Sequence, residues 1–265
     1  MEIYCDGDRY MITLCTLQAG RFYALEAYSW GLSIINYPKD QIHLLFLTNS
    51  DNDDFIHLMG RRVENLKGYA SIRFIKTDIV KPSSNAFIEN GTHTNQHAET
   101  IAKLYNEAYK YIETEDFLFL EDDIIAPSNA ISGLQKCYEQ ENVGYACGTQ
   151  MNRHGGVNAT LFIWDLAYKR IFPAGDSCND KTYQAVDIRK PWGIREIGLG
   201  HFGLTMLKKS ICDKLPKPVF KPFSQDGNLK GCDMVLCIEL EKLGYKKMAN
   251  FDVRGLHMDS LGRIH

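Results

Sequence analysis

The residues best suited to chemistry stand in one short stretch, Phe117-Leu118-Phe119-Leu120-Glu121-Asp122-Asp123-Ile124-Ile125-Ala126-Pro127. Four consecutive apolar residues predict a strand covered on both faces, as in a parallel sheet. Ligand sites in such sheets form at the carboxyl ends of strands, where the three acids fall. Carboxylates crowded together repel, and burying them unpaired is costly. A divalent cation bound by hard carboxylate oxygens relieves both problems. The alternative is a solvated acidic turn after a core strand. Residues i and i+2 of an extended segment share a side, so Glu121 and Asp123 are expected to face one site. Other groups of interest are Arg21 after a short turn, the polar run Asn49-Ser50-Asp51-Asn52-Asp53-Asp54, Asp233 and His257.

The elements that must position these residues alternate. Tyr10 to Thr16 is predicted as a strand, Gln18 to Arg21 as a turn, and Phe22 to Ile35 as a helix ending before Tyr37-Pro38. Ile42 to Thr48 is a second buried strand, and the polar run after it offers N-cap chemistry for a helix over Phe55 to Asn65. Ala70 to Lys76 is a third strand. Strand and helix alternating at this spacing indicate a parallel sheet. Thr77 to Thr94, with Pro82, Ser83, Ser84, Asn85, Asn90 and Gly91, reads as a long functional loop. His97 to Thr114 and Asn129 to Glu139 read as helices, and Val143 to Gly148 as a short strand. Ala159 to Trp164 and Leu199 to Leu207 read as further strands, separated by a second long loop over Phe172 to Ile197. Asp233 to Leu243 is a helix stopped by Gly244. Lys246 to Val253 is the last strand, and Arg254 to His265 a polar tail.

Bulk properties narrow the function. The 265 residues suffice for one large α/β domain or two small ones. A net charge of -3 gives no broad attraction for nucleic acid or anionic membrane. The eight cysteines are scattered, without paired metal-ligand spacing, and several lie in apolar runs. Met1 to Arg9 is polar and acidic and carries no secretory signal, and no stretch approaches the ~18 apolar residues needed to span a bilayer. The expectation is a soluble protein of a reducing, cytoplasmic compartment, with no transmembrane segment; an oligomer is compatible with the sequence but not predicted by it.

Taken in order, these pieces resemble the GT-A fold, most closely the family 2 type of glycosyltransferase, over roughly residues 10 to 260. The opening strand, turn and helix end at Tyr37-Pro38; the second strand runs into the polar loop Leu44 to Asp54. Glu121-Asp122-Asp123 looks like the family's Asp-x-Asp signature. Gly231-Cys232-Asp233-Met234-Val235-Leu236-Cys237 resembles the Glu-Asp-x-Asp-Leu-Cys pattern opening the acceptor-side helix, and Gly255-Leu256-His257 the late histidine of the metal site. Two positions depart from the pattern: Thr48 stands where an aspartate closes the strand, leaving Asn49, Asp51 and Asp53 as contacts to the base, and Cys232 stands where a glutamate is common.

The resemblance implies one α/β domain over 1–265, a mostly parallel central sheet flanked by helices with a smaller antiparallel acceptor-side portion. The nucleotide half spans about 1–127 and the acceptor half about 128–265. It implies transfer of a sugar, with inversion, from a nucleotide-sugar donor (UDP- or GDP-linked) to a hydroxyl on a carbohydrate or other acceptor. Asp123 and His257 would hold Mn2+ or Mg2+, an imidazole ligand tilting the choice toward Mn2+. Thr16, Arg21, Asn49, Asp51, Glu121 and Asp122 would serve the nucleotide; Trp192, His201 and Cys232 the acceptor side; and Asp233 would be the general base.

Several of these residues have a second reading. Asp233 at a helix start is also a natural N-cap, and the helix dipole would make it a weaker base. His257 is a ligand or a surface residue of the tail, and His201 a substrate contact or a satisfied core histidine. His154, before Gly155-Gly156, reads as a loop residue. Trp192 stacks on a sugar or packs on the domain, and Arg21 meets a phosphate or starts a helix. Lys208, Lys209, Lys214, Lys217 and Lys221 read as a solvated face. The alternatives for the whole chain are a non-catalytic carbohydrate- or partner-binding domain of the same fold, and a sugar nucleotidyltransferase. Gln18-Ala19-Gly20-Arg21 is a poor match to the Gly-rich basic turn of the nucleotidyltransferases.

Overall fold

The structure is a computed structural model that describes residues 10–80, 95–150, 158–164, 183–187, 193–225 and 228–264. The chain opens β1 (Ile12–Gln18), α1 (Phe22–Ile34), β2 (Ile42–Thr48), α2 (Asp53–Asn65), β3 (Ser71–Lys76). Asn52 caps α2 by accepting the Phe55 N–H at 3.0 Å, and Asp53 and Asp54 in its first turn oppose the helix dipole. After α3 (Asn95–Tyr109) come β4 (Asp116–Leu120), β5 (Ile124–Ile125), α4 (Ala130–Gln135) and β6 (Val143–Gln150). The later part holds β7 (Asn158–Trp164), β8 (Tyr183–Asp187), β9 (Ile194–Glu196), β10 (Leu204–Lys208) and α5 (Lys209–Cys212). It closes with β11 (Phe223–Gln225), β12 (Asn228–Lys230), α6 (Cys232–Lys242) and β13 (Lys246–His257).

Nine strands form one sheet in the order β3-β2-β1-β4-β10-β6-β13-β5, with β9 also paired to β13. The β3-β2-β1-β4 half is parallel, and β10 runs antiparallel between β4 and β6. Alternation along the strands sends side chains to opposite faces. On β4, Phe117 and Phe119 enter one core while Leu118 and Leu120 enter the other. Residues of α3, α5 and α6 pack in the first core and those of α1, α2 and α4 in the second. Both faces of β4 are therefore covered, which is why its run is uniformly apolar. On the α3 face, Tyr105, Phe119, Phe202 and Phe220 make edge-on ring contacts just below the end of β4. The architecture is a mixed, mostly parallel α/β sheet flanked by helices.

Four expectations need correction. The acidic segment is a turn and not an extended continuation of β4, because Ile124 N–H folds back onto the Glu121 carbonyl at 3.1 Å. The strand expected over Leu199 to Leu207 is Leu204–Lys208. Before it the chain runs so close to β6 that a Cβ on Gly203 would lie 2.3 Å from Gln150 Oε1, which leaves no room for regular pairing with side chains. The expected tail begins too early: Arg254 to His257 continue β13, and Leu256 and His257 pair with Ile125 and Ile124 of β5. The loop expected over Phe172 to Ile197 likewise contains β8, paired with β7, and β9, paired with β13. Residues 81–94 of the first expected loop lie outside the described residues, as do His154 and Trp192. Among the described residues, no helix is long and apolar enough to cross a membrane.

Candidate active site

The acids stand where β1 and β4, hydrogen-bonded side by side in parallel, reach their carboxyl ends. Glu121 N–H donates to Gly203 O at 2.9 Å, tying the turn to the approach of β10. Ile124 and Ile125 then pair with the end of β13, and Met258 N–H donates to Asp123 O at 2.9 Å. These backbone bonds bring the far end of the chain onto the acidic turn and set His257 beside Asp123.

Asp122 and Asp123 are buried, at 4% and 1% exposure. Asp122 accepts the Ala19 N–H at 2.7 Å and Arg21 Nη1 at 2.6 Å. The same Nη1 lies 2.8 Å from Asp123 Oδ2, and His257 Nε2 lies 3.4 Å from that oxygen. Gly20, at φ +84°, makes the left-handed turn that presents both Ala19 N–H and Arg21 to the acids. Burial pushes the Asp122 carboxyl up; Arg21 and the Ala19 N–H pull it down, and the Asp123 charge raises it further. Burial would lower the Arg21 pKa, but Asp122, Asp123 and Glu121 together hold it above its ordinary value.

Glu121, Asp123 and His257 each offer a ligand atom, and these atoms lie within 4.8 Å of one another. One guanidinium leaves the three carboxylates short of neutrality, so a further cation is electrostatically favoured. Two carboxylates and an imidazole fit Mn2+ or Mg2+ as a donor set. Glu121, assigned from sequence to the nucleotide, thus groups with the metal ligands, while Asp122 is turned to Arg21 and the first loop.

Asp233 lies in the first turn of α6, whose N-cap is Gly231, so the N-cap position falls two residues earlier than one reading of the sequence allowed. Burial pushes the Asp233 carboxyl up to about 6, against the lowering pull of the Met234 N–H and its own N–H. The dipole objection therefore loses to desolvation. Burial raises the Tyr105 hydroxyl, and the charges of Glu121 and Asp233 raise it further. Cys232, at the first position of α6, is buried, and burial keeps its thiol protonated.

His201 precedes β10 and is buried. Its Nδ1 accepts the Gly203 N–H at 3.0 Å, which places the proton of the neutral ring on Nε2. Burial pushes its pKa down to about 4; the Gly148 carbonyl opposes this, and the charge of His257 adds to it. His201 is therefore a neutral neighbour of His257.

The remaining expected residues are more scattered. The Thr16 hydroxyl bonds to Tyr28 in the interior between β1 and α1. Asn49 is half-buried and Asp51 exposed in the loop after β2. Thr48, where the sequence resemblance led to an expected aspartate, donates to Gln18 O at 2.8 Å and accepts Ser50 N–H at 3.0 Å, so it pins that loop to the end of β1. Among the basic residues expected to form a solvated face, Lys209 and Lys217 pair with Asp213 and Lys208 with Asp116. The sequence passed over Gln150, which is buried at the end of β6 and paired in register with Gly255, two residues before His257. Its signal was a polar residue closing an apolar strand.

No protein-family model and no curated protein sequence matches the chain. Solved structures do. The mannosyltransferase PcManGT from Pyrobaculum calidifontis, in complex with GDP-Man and Mn2+, is similar at a TM-score of 0.59 and 13% identity, over 94% of this chain and 56% of that one. S. aureus TarS is similar at a TM-score of 0.55 and 10% identity, over 92% of this chain and 36% of TarS. Its 1–349 portion is similar at a TM-score of 0.52 and 11% identity, over 92% and 59%. The chain thus spans little more than half the length of the mannosyltransferase it is similar to. At these identities the likeness is one of fold, and the fold is GT-A-like.

Proposed function

We propose that this chain, with its GT-A-like glycosyltransferase fold, is a metal-dependent, inverting glycosyltransferase that moves a sugar from a UDP- or GDP-linked donor to an acceptor hydroxyl. The observation that carries the reading is the meeting of Glu121, Asp123 and His257, with ligand atoms within 4.8 Å, at the carboxyl end of β4. The mannosyltransferase of similar fold was solved with GDP-Man and Mn2+, which supports a nucleotide sugar and a divalent ion here as well.

In this reading one domain divides its labour. The half up to about residue 127 binds the nucleotide, with Asn49 and Asp51 facing the base and ribose. The remainder binds the acceptor. Glu121, Asp123 and His257 hold Mn2+ or Mg2+, which supplies Lewis-acid stabilisation of the departing diphosphate. Arg21, on the same acids, offers the diphosphate a charge-assisted hydrogen bond. Asp233, with a pKa pushed up to about 6, is ionised at pH 7 yet basic enough to take the acceptor hydroxyl proton onto its carboxylate. The freed oxygen attacks the anomeric carbon opposite the leaving group, which inverts that centre. His201, in the acceptor-binding half, stays neutral through burial. The six described cysteines are all free and buried, which supports a reducing compartment.

The test is donor hydrolysis across a panel of nucleotide sugars with Mn2+, comparing the parent with Asp123→Ala. Release of nucleoside diphosphate from one donor, lost in the variant and with a chelator, is the expected result. Silence across the panel, without metal-dependent nucleotide binding, would instead favour a non-catalytic binding domain.

A further inference from the structure

Arg21 has an unusual position relative to the metal-ligand set. Its Nη1 bridges Asp122 Oδ1 at 2.6 Å and Asp123 Oδ2 at 2.8 Å, and the second of these carboxylates is also a proposed metal ligand. The acids lie inside, at 4% and 0% side-chain exposure, whereas the arginine side chain keeps 28% of its surface toward solvent. Arg21 is therefore the member of this cluster that reaches solvent, while both carboxylates it touches lie inside. Asp122 keeps the Ala19 N–H as a donor if the arginine turns away.

A divalent ion on Glu121, Asp123 and His257 shares Asp123 with this fixed positive charge, and like charges at such range repel. A diphosphate removes the conflict, because its oxygens accept the planar guanidinium fork and neutralise both cations. Resting on the metal and nucleotide-sugar reading above, we propose that Arg21 couples the two ligands. It lowers the affinity of the site for a bare divalent cation and, by transferring its ionic contact from Asp123 to the diphosphate, makes ion and nucleotide bind together. Reciprocity then requires that the ion tighten the nucleotide by the same factor.

Mn2+ titration followed by electron paramagnetic resonance tests this in the absence of turnover, with Mn2+ alone, with UDP and with GDP. In the parent, one nucleoside diphosphate is expected to tighten Mn2+ about tenfold or more, within the ordinary range of coupling between sites. Arg21→Gln is expected to bind bare Mn2+ about fivefold more tightly, and to lose most of the enhancement by nucleotide. Arg21→Lys keeps the charge but lacks the fork, so it should bind bare Mn2+ like the parent while the enhancement shrinks. The lysine variant carries the test if thermal melts show that Arg21→Gln is misfolded. Unchanged or weaker bare Mn2+ binding in a folded Arg21→Gln, or full enhancement in either variant, overturns the coupling while the functional reading stands. A parent that binds neither Mn2+ nor nucleotide overturns both.

Discussion

His257 Nε2 stands 3.4 Å from Asp123 Oδ2, and backbone pairing holds the two together from both sides. His257 is in register with Ile124, and Met258 N–H reaches the Asp123 carbonyl. The contact is thus built into the sheet, and a side-chain change at either residue should alter chemistry more than fold.

His257→Ala is expected to weaken Mn2+ binding in the presence of nucleoside diphosphate by about tenfold or more, since it removes the imidazole from the proposed donor set. His257→Asp, which replaces nitrogen with oxygen, should shift preference from Mn2+ toward Mg2+. Calorimetric titration with each ion checks both, with Asp123→Asn as the variant expected to bind neither ion well.

Asp233→Asn is expected to lower kcat by about 10²–10⁴-fold, the ordinary contribution of a general base. In the parent, kcat/KM should fall as pH drops below about 6, the value to which burial pushes this carboxyl. The same shift has a stability sign. The folded state holds the Asp233 proton more tightly than the unfolded chain, whose carboxyl titrates near 3.8. Stability therefore declines as pH rises from about 4 to about 6, and the cost is fully present above that window. Asparagine removes the charge, so the inactive variant should be more stable at pH 7, by about 1–2 kcal/mol given its half-buried position. A thermal melt of parent and variant at pH 4 and pH 7 reads this directly, and the gap should close at the lower pH.

Gly31→Ala on α1 is expected to cost about 1–3 kcal/mol. A Cβ there would lie 2.9 Å from Ala126 N and 3.3 Å from Ile125 Cα, both backbone atoms of the segment that carries β5. Because β5 holds His257 in place, the same change should also weaken Mn2+ binding. Gly60→Ala in α2 is the control: nothing lies within 4 Å of its Cβ, and it should be neutral or gain up to about 1 kcal/mol in helix propensity. Denaturant midpoints for the two variants give the comparison.

Asp116, at the other end of β4, is buried with Lys208 Nζ at 2.9 Å and the Tyr10 hydroxyl as partners. Lys208→Met should destabilise by about 3 kcal/mol because it leaves the carboxylate buried without its cation. The double variant Lys208→Met with Asp116→Leu should recover much of that loss, as an apolar pair fills the same space. Equal losses in the single and double variants would contradict this assignment.

Much of the scaffold was legible because its signals are local. The run Phe117 to Leu120 reads as a doubly covered strand, and the structure sends its residues alternately into two cores. Asn52 and the acids after it announce α2, and β2 falls on Ile42–Thr48 as its composition indicates. Arg254 to His257 were harder. Burial alternates through this part of β13, but the buried face carries Gly255 and the exposed face Leu256, so hydrophobicity there runs against the pattern.

The sequence by itself determined that three acids close a buried strand in an alternating α/β chain, and which distant residues had the chemistry to join them. Only the tertiary structure decided how they divide. Extended geometry and the observed turn both bring Glu121 and Asp123 to one site, but the turn alone gives Asp122 to Arg21 and the Ala19 N–H. Whether His257 reaches Asp123 depends on pairing between a two-residue strand and the far end of the chain, and no local propensity encodes such a contact. The raised pKa of the Asp233 carboxyl was equally out of reach, because desolvation is set by what packs around a carboxyl and not by its neighbours in sequence.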